Sequence, residues 1–145
     1  MTIDIRAALN TDHEWLFELH ETAHRELVEQ AYGPWDAVQQ RGFFQSLVEG
    51  HDCYVMEEAG YPVGAVYLGV REGDTWLELI EVTPAHQKRG LGTEALCWVI
   101  RRANEQGRGT SLQVHRMNLG AHRWYLRQGF APAGETETHH LLHHS

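Results

Sequence analysis

The residues with the clearest capacity for chemistry lie in one short segment, residues 87–93. Gly90 and Gly92 let the backbone approach an anion closely, because neither carries a Cβ. Lys88 and Arg89 add positive charge, and the apolar spacing that follows predicts a helix whose first N–H groups point at the loop. The segment therefore predicts a phosphate or pyrophosphate site, although glycine spacing alone would favour a simple turn.

The elements on either side must hold this loop in place. Residues 75–82 have the composition of a strand, which Pro84 ends, and apolar residues after the loop recur at helical spacing as far as Gly107. Residues 111–115 then predict another strand. The loop thus joins the first strand of a strand, helix, strand unit to its helix.

The remaining sequence predicts an α+β fold around one mixed sheet, in which strands and helices interleave. In chain order, the other predicted elements are a strand at residues 3–7, a helix that follows residues 10–12 and ends at 32–34, a helix at about 35–48, strands at 53–56 and 63–70, a helix at about 119–128, and two tail strands that separate near residues 134–135. We expect a single domain over residues 1–145.

Composition excludes several classes of function. The chain has 145 residues, of which 42% are apolar, and a formal net charge of -8, which opposes binding to nucleic acid. No apolar run approaches the length of a membrane span, and no signal peptide is evident, so we expect a soluble, cytoplasmic protein. Cys53 and Cys97 fall in segments typical of a buried strand and a buried helix, and we expect reduced, structural thiols.

Two blocks of residues carry a family resemblance. The first places Gln87, Gly90 and Gly92 in the order glutamine, two residues, glycine, one residue, glycine, after Val82 and Pro84. The second, N-x-x-A-x-x-x-Y-x-x-x-G-F, consists of Asn118, Ala121, Tyr125, Gly129 and Phe130. With these blocks the sequence resembles the GNAT acetyltransferases across essentially the whole chain, most strongly over residues 77–130. The resemblance implies the GNAT fold, with a single mixed, mostly antiparallel central sheet and helices on both of its faces.

The resemblance also implies acetyl-CoA as co-substrate, in a V-shaped opening between the strands that end at Val82 and His115. By the same resemblance, backbone groups near Ile80 and Val82 pair with the pantetheine arm. A backbone N–H of this strand is also implied to polarise the thioester carbonyl. Asn118 is implied to contact the same arm, and Tyr125 to protonate the departing thiolate. The predicted cofactor contacts are Ile80, Val82, Gln87, Lys88, Arg89, Gly90, Leu91, Gly92, Thr93 and Asn118.

Attack by an amine needs a base, because an aliphatic amine has a pKa near 10 and is protonated at neutral pH. We prefer Glu78, four residues before Val82, where spermidine/spermine-type acetyltransferases also carry a glutamate and regular alternation puts both residues on one face. Glu81 is the alternative, since a bulge would shift the alternation and turn it inward. For both glutamates, the sequence fits an ordinary solvent-facing carboxylate as well as it fits a catalytic base.

The acceptor side of this fold is covered by the first two helices. Among their side chains, which include His20, Glu21, His24, Phe43 and Phe44, we expect Tyr32 and Trp35 to form the pocket wall.

The histidine-rich tail raises the question of a metal site. Alternating strand residues cannot all converge on one ion, and no cysteine or carboxylate completes a recognised spacing, so we predict none. His139 or His140 is a further candidate for the base, because tail strands wall the acceptor pocket in the family.

The sequence therefore predicts an N-acetyltransferase that moves acetyl directly from CoA to a primary amine of a small molecule or peptide. A homodimer is one expected assembly, in view of related enzymes. One alternative function is an acetyl-CoA-binding or sensing module of the same fold without catalysis. Another is an interaction domain that does not bind acetyl-CoA at all.

Overall fold

The computed structural model describes residues 3–145, which form seven strands and four α-helices. The strands are β1 (Asp4–Ala7), β2 (Asp52–Glu58), β3 (Tyr61–Arg71), β4 (Asp74–Val82), β5 (Thr110–His115), β6 (Ala131–Glu135) and β7 (His139–His144). The helices are α1 (His13–Tyr32), α2 (Ala37–Gly50), α3 (Leu91–Glu105) and α4 (Leu119–Arg127). Short 3₁₀ turns at Asn10–Asp12 and Pro84–His86 precede α1 and the glycine loop.

All seven strands belong to one sheet, in the order β1-β2-β3-β4-β5-β7-β6. Every neighbouring pair is antiparallel except β4 and β5, which are parallel because α3 connects them. The predicted mixed, mostly antiparallel sheet is therefore confirmed.

Helices cover both faces of this sheet. On one face, apolar residues of α3 such as Leu96 and Val99 pack on Leu68 and Leu77 of the central strands. On the other face, Leu16 and Phe17 of α1 and Phe44 of α2 pack on Val55, Ala65 and Tyr67. Helices α1, α2 and α3 therefore each bury apolar residues against the sheet, as amphipathic helices in a layered α+β fold do.

Strands β4 and β5 separate after a short contact. They pair only at Thr75 with Thr110 and at Trp76 with Ser111. Beyond these pairs β4 continues to Val82 and β5 to His115 without pairing to each other. The centre of the sheet is therefore open toward the carboxyl ends of these two strands.

A bulge interrupts β4 at Glu78. Leu77 lies opposite Leu68 of β3 and Leu79 lies opposite the preceding residue, Tyr67, so Glu78 is the extra residue. The regular alternation assumed from the sequence therefore does not hold through this strand. Beyond the bulge, Leu79 packs in the α1 and α2 layer, whereas Ile80 and Val82 pack against the α3 layer.

Two of the differences between the predicted and observed boundaries have a clear local cause. Helix α2 begins at Ala37, because the Asp36 side chain accepts a hydrogen bond from the Gln39 N–H and caps the helix, so Trp35 lies in the preceding link. The tail strands separate at residues 136–138, where the Thr136 hydroxyl accepts N–H groups from Thr138 and His139. None of the helices described over residues 3–145 is long and apolar enough to cross a membrane.

Candidate active site

The glycine loop presents free backbone amides at the start of α3. Gly90 is the N-cap, in a left-handed conformation with φ of +83°. The Glu94 N–H donates to the Gly90 carbonyl at 3.0 Å. The amides of Leu91, Gly92 and Thr93 precede this bond, so they have no partner within the helix and are available to an anion.

A cleft of about 860 Å³ opens in front of these amides. The residues that line it come from β4, the loop, α3 and α4: Ile80, Val82, His86, Gln87, Lys88, Gly90, Leu91, Gly92, Thr93, Asn118, Gly120, Ala121, Trp124 and Tyr125. Nine of the ten predicted cofactor contacts are in this set. Arg89 is not, and its guanidinium pairs with Glu58 at 3.2 Å.

The open edge of β4 supplies further hydrogen-bonding groups. The Thr83 N–H donates to Val63 of β3 at 2.9 Å. Since backbone groups alternate in direction along a strand, the N–H and C=O groups of Ile80 and Val82 point away from β3 and into the opening. The Val82 carbonyl there accepts a hydrogen bond from the Gln87 side chain at 3.0 Å, which ties the loop to the strand.

A second cavity, of about 280 Å³, lies on the other side of the opening. Its lining residues are His24, Leu27, Tyr32, Glu78, Leu79, Ile80, Gln113, Val114, His115, Asn118, Ala121, Tyr125 and His139. Cleft and cavity share Ile80, Asn118, Ala121 and Tyr125. The two spaces therefore meet between the end of β4 and helix α4.

Tyr125 and Asn118 are both held by α4. Asn118 is the N-cap, and its side-chain oxygen accepts the Ala121 N–H at 3.2 Å. Tyr125 packs its ring edge against Phe130, with ring centroids 5.5 Å apart. Burial raises the pKa of Tyr125, so its hydroxyl stays protonated at neutral pH and can act as a proton donor.

The two predicted base candidates have different surroundings. Glu78 lines the cavity, accepts a hydrogen bond from the Trp76 indole, and lies 3.6 Å from His51 Nε2. Glu81 is the alternative base, which requires a bulge in this strand, and the bulge is present at Glu78. Glu81 is turned inward, and its side chain is only 1% exposed. It lines neither the cavity nor the cleft described above.

Two histidines of α1 hold the Glu81 carboxylate. His20 Nδ1 lies 2.8 Å and His24 Nε2 lies 2.6 Å from the same oxygen, Oε2. Burial opposes the charge of Glu81, but these two hydrogen bonds keep the pKa of its carboxyl below the usual range. This contact is not among the sequence predictions; the signal for it is the four-residue spacing of the histidines, which puts them on one face of a helix.

The predicted pocket wall is present in part. Tyr32 lines the cavity, and its hydroxyl lies 3.0 Å from His115 Nε2. Trp35 does not line the cavity, and its indole N–H donates to Glu21 at 2.9 Å. His139 also lines the cavity, and burial, together with the neighbouring His115, lowers its pKa. His139 is therefore mostly uncharged at neutral pH.

The sequence matches the profile of the Acetyltransferase (GNAT) family over residues 13–130. The chain belongs to the GNAT acetyltransferase family. GNAT acetyltransferases use acetyl-CoA as co-substrate, and the free α3 amides beside Lys88 and two glycines fit its pyrophosphate. A sequence search of curated proteins finds no match.

Solved structures with the GNAT fold match nearly the whole chain. PaiA N-acetyltransferase from Thermoplasma acidophilum, in complex with coenzyme A, has a TM-score of 0.78 at 16% identity, with 100% of this chain and 99% of that chain covered. An acetyltransferase from Thermus thermophilus has a TM-score of 0.78 at 20% identity, with coverage of 99% and 96%. The ribosomal-protein-S18-alanine N-acetyltransferase from Escherichia coli has a TM-score of 0.68 at 21% identity, with coverage of 98% and 92%.

Gly92→Val is expected to weaken acetyl-CoA binding by about tenfold or more while the protein stays folded. A Cβ at Gly92 would lie 3.6 Å from the Trp124 ring, which is ordinary contact, but the branched side chain would enter the cleft between the loop and α4. Isothermal titration calorimetry measures the affinity, and circular dichroism checks the fold.

The matched control is Gly42→Val on α2, where a Cβ meets nothing within 4 Å. Gly90→Val is a poorer probe, because a φ of +83° strains any L side chain and would disturb the helix start itself. Equal acetyl-CoA affinity in the Gly92 variant and the control would contradict the assignment of the loop.

Proposed function

We propose that this chain is an N-acetyltransferase that moves acetyl directly from CoA to a primary amine of a small molecule or peptide. One observation carries the proposal: the cleft in front of the glycine loop and the second cavity meet at Ile80, Asn118 and Tyr125. A co-substrate in the cleft and an acceptor in the cavity therefore reach each other there, through the opening between β4 and β5.

Acetyl-CoA, when bound, supplies an acyl group activated as a thioester. The amides at the start of α3 and the Lys88 side chain hold its phosphates. The edge groups of Ile80 and Val82 orient the pantetheine arm, and an N–H of this edge stabilises the negative charge that develops on the carbonyl oxygen.

Glu78 is the base in this proposal. Among the described residues that line the acceptor cavity it alone is acidic, so it both attracts an ammonium group and accepts its proton, directly or through a water molecule. The Trp76 indole N–H fixes the orientation of the carboxylate. Glu81 acts on the acceptor only through His24, because the cavity does not reach its carboxylate.

Tyr125 is the proton donor to the sulfur. It lines both spaces, and within residues 3–145 its hydroxyl makes no hydrogen bond that would compete with a thiolate. Its raised pKa keeps the proton on the oxygen until a strongly basic thiolate forms.

An amine-panel assay tests the function. The chain is incubated with acetyl-CoA and with polyamines, amino acids, aminoglycosides or peptides with a free N-terminus, and thiol release is measured. Peptides are included because one structural relative is named as a ribosomal-protein-S18-alanine N-acetyltransferase. Amine-dependent thiol release supports the enzyme. Tight acetyl-CoA binding without release on any amine would favour a sensing module.

Alanine at Cys53 and Cys97 is expected to leave turnover within about twofold of the wild type, because direct transfer needs no acyl-enzyme. Neither thiol lines the cleft or the acceptor cavity. Burial and the neighbouring Asp52 raise the pKa of Cys53 to about 11, so it is a poor nucleophile. Cys97 is exposed on α3, so the expected buried position is wrong for this residue.

Mass spectrometry of the protein after incubation with acetyl-CoA provides the second readout. An acetyl-cysteine adduct that forms at the rate of turnover, and disappears with either alanine, would replace direct transfer by a two-step mechanism.

A further inference from the structure

A cluster of three metal-ligating side chains lies at the edge of the acceptor cavity. His20 and His24 stand four residues apart on α1, and Glu81 faces them from β4. We propose that these three residues bind a divalent first-row transition metal ion. Zn²⁺ matches this set of ligands best. This binding is independent of the proposed acetyl transfer.

The ligand chemistry supports the proposal. One nitrogen of each imidazole and one carboxylate oxygen all lie within 4.8 Å of one another. Two histidines and one glutamate are a ligand set of catalytic zinc sites, and two histidines with one carboxylate also hold other divalent transition metals. Ligand atoms around a tetrahedral zinc are about 3.3 Å apart, so on binding the ion the two contacts with Oε2 lengthen by about 0.5–0.7 Å, while the imidazole nitrogens, now within 4.8 Å, settle at the same separation.

Burial of the carboxylate gives an independent argument. The Glu81 side chain is 1% exposed, and its second oxygen, Oε1, is buried and has no hydrogen-bond partner within the described residues. A buried carboxylate is costly unless its charge and its oxygens are compensated. A metal ion held by Oε2 and the two imidazoles supplies the positive charge that compensates this buried carboxylate.

The position of His24 sets the side from which the ion is accessible. Its side chain is 24% exposed and lines the acceptor cavity, whereas the Glu81 side chain is 1% exposed and does not line it. Three protein ligands leave a coordination position open, which is the arrangement of catalytic rather than structural zinc. His24 alone of the three ligands lines the cavity, so we expect a small molecule to reach the open position from that side.

The local sequence His20-Glu21-Thr22-Ala23-His24 has the H-E-x-x-H spacing of zinc peptidases, in which the glutamate is the base for hydrolysis. Here the Glu21 carboxylate accepts the Trp35 indole N–H at 2.9 Å. The structure therefore supports the metal-binding half of this motif and gives Glu21 a role in holding the link before α2.

Calorimetric titration with Zn²⁺ tests the site. The full chain is purified without an affinity tag, treated with a chelator, and titrated with Zn²⁺ alone. We expect one tight equivalent, and an affinity lower by about 100-fold or more in the double variant His20→Asn with His24→Asn. The matched control is His122→Asn with His140→Asn, a stacked pair near Glu135 outside the proposed site, which should keep the tight equivalent.

X-ray absorption at the zinc edge of the loaded wild type gives a readout that does not depend on the folding of any variant. Two imidazole nitrogens and a carboxylate oxygen at about 2.0–2.2 Å are expected. Absence of a tight equivalent, equal affinity in wild type and the His20 and His24 variant, or a shell of three or more imidazoles would overturn the proposal. The cluster would then be a hydrogen-bonded triad, and the acetyl-transfer assays would be unaffected by that result.

Discussion

Replacing Glu78 by glutamine should lower kcat/KM about 100-fold at neutral pH and restore part of the loss as the pH rises. The change keeps the side-chain volume and the acceptor for the Trp76 indole N–H, so the bulge survives while the base is lost. An amine with a pKa near 10 is then mostly protonated at pH 7 and finds no group to take its proton. The loss shrinks at high pH, where free amine is abundant. A pH profile of kcat/KM measures it.

Glu18→Gln is the matched control, because Glu18 is an exposed carboxylate on α1 outside the cavity. It should show the wild-type pH profile. A silent Glu78→Gln beside a large loss in Glu81→Gln would transfer the role of base to the buried carboxylate and its histidines.

Tyr125→Phe should lower kcat by about 100-fold and leave acetyl-CoA affinity within about twofold. The ring and its packing on Phe130 remain, while the hydroxyl that protonates the sulfur is removed. If departure of the thiolate limits the rate, the decrease in kcat should be larger for acceptor amines of low basicity. Steady-state kinetics and calorimetry on the same preparation separate the two quantities.

Tyr61→Phe serves as the comparison, since Tyr61 is 73% exposed at the start of β3 and lines neither cavity nor cleft. Normal turnover by Tyr125→Phe would assign Tyr125 a packing role and leave the thiolate to be protonated by water.

The parts of the site that depend on local sequence were predictable. The glycine loop combines a left-handed Gly90 with the first turn of α3, and both follow from neighbouring residues. The Asn118 cap of α4 is also a local interaction, because its side-chain oxygen accepts the N–H of Ala121, three residues ahead. The alternation of strands and helices likewise follows from hydrophobic periodicity and predicts the layered fold.

The parts that depend on contacts between distant elements were not predictable in the same way. The bulge at Glu78 is a shift in the register between β3 and β4, and a shift of one residue leaves no signal within β4 alone. The contact of His20 and His24 with Glu81 spans about sixty residues of sequence, and only the fold brings α1 onto β4. The sequence predicts Trp35 as the start of the second helix, whereas the Asp36 cap starts α2 at Ala37.

The short contact between β4 and β5 also has a mechanical meaning. The sheet has two parts, β1 to β4 and β5 to β7. Within the described chain, the strands of these two parts pair only at the two residue pairs of β4 with β5, which we call the seam. A hydrogen bond from the Thr75 N–H to Gly109 and one from the Ser111 hydroxyl to Asp74 support the seam. A molecule bound in the opening contacts both parts of the sheet and stabilises them against separation. Unfolding must then release that molecule, so the melting temperature rises with its free concentration, and a substitution that opens the seam lowers the affinity in proportion to the fraction of molecules in which the seam is open.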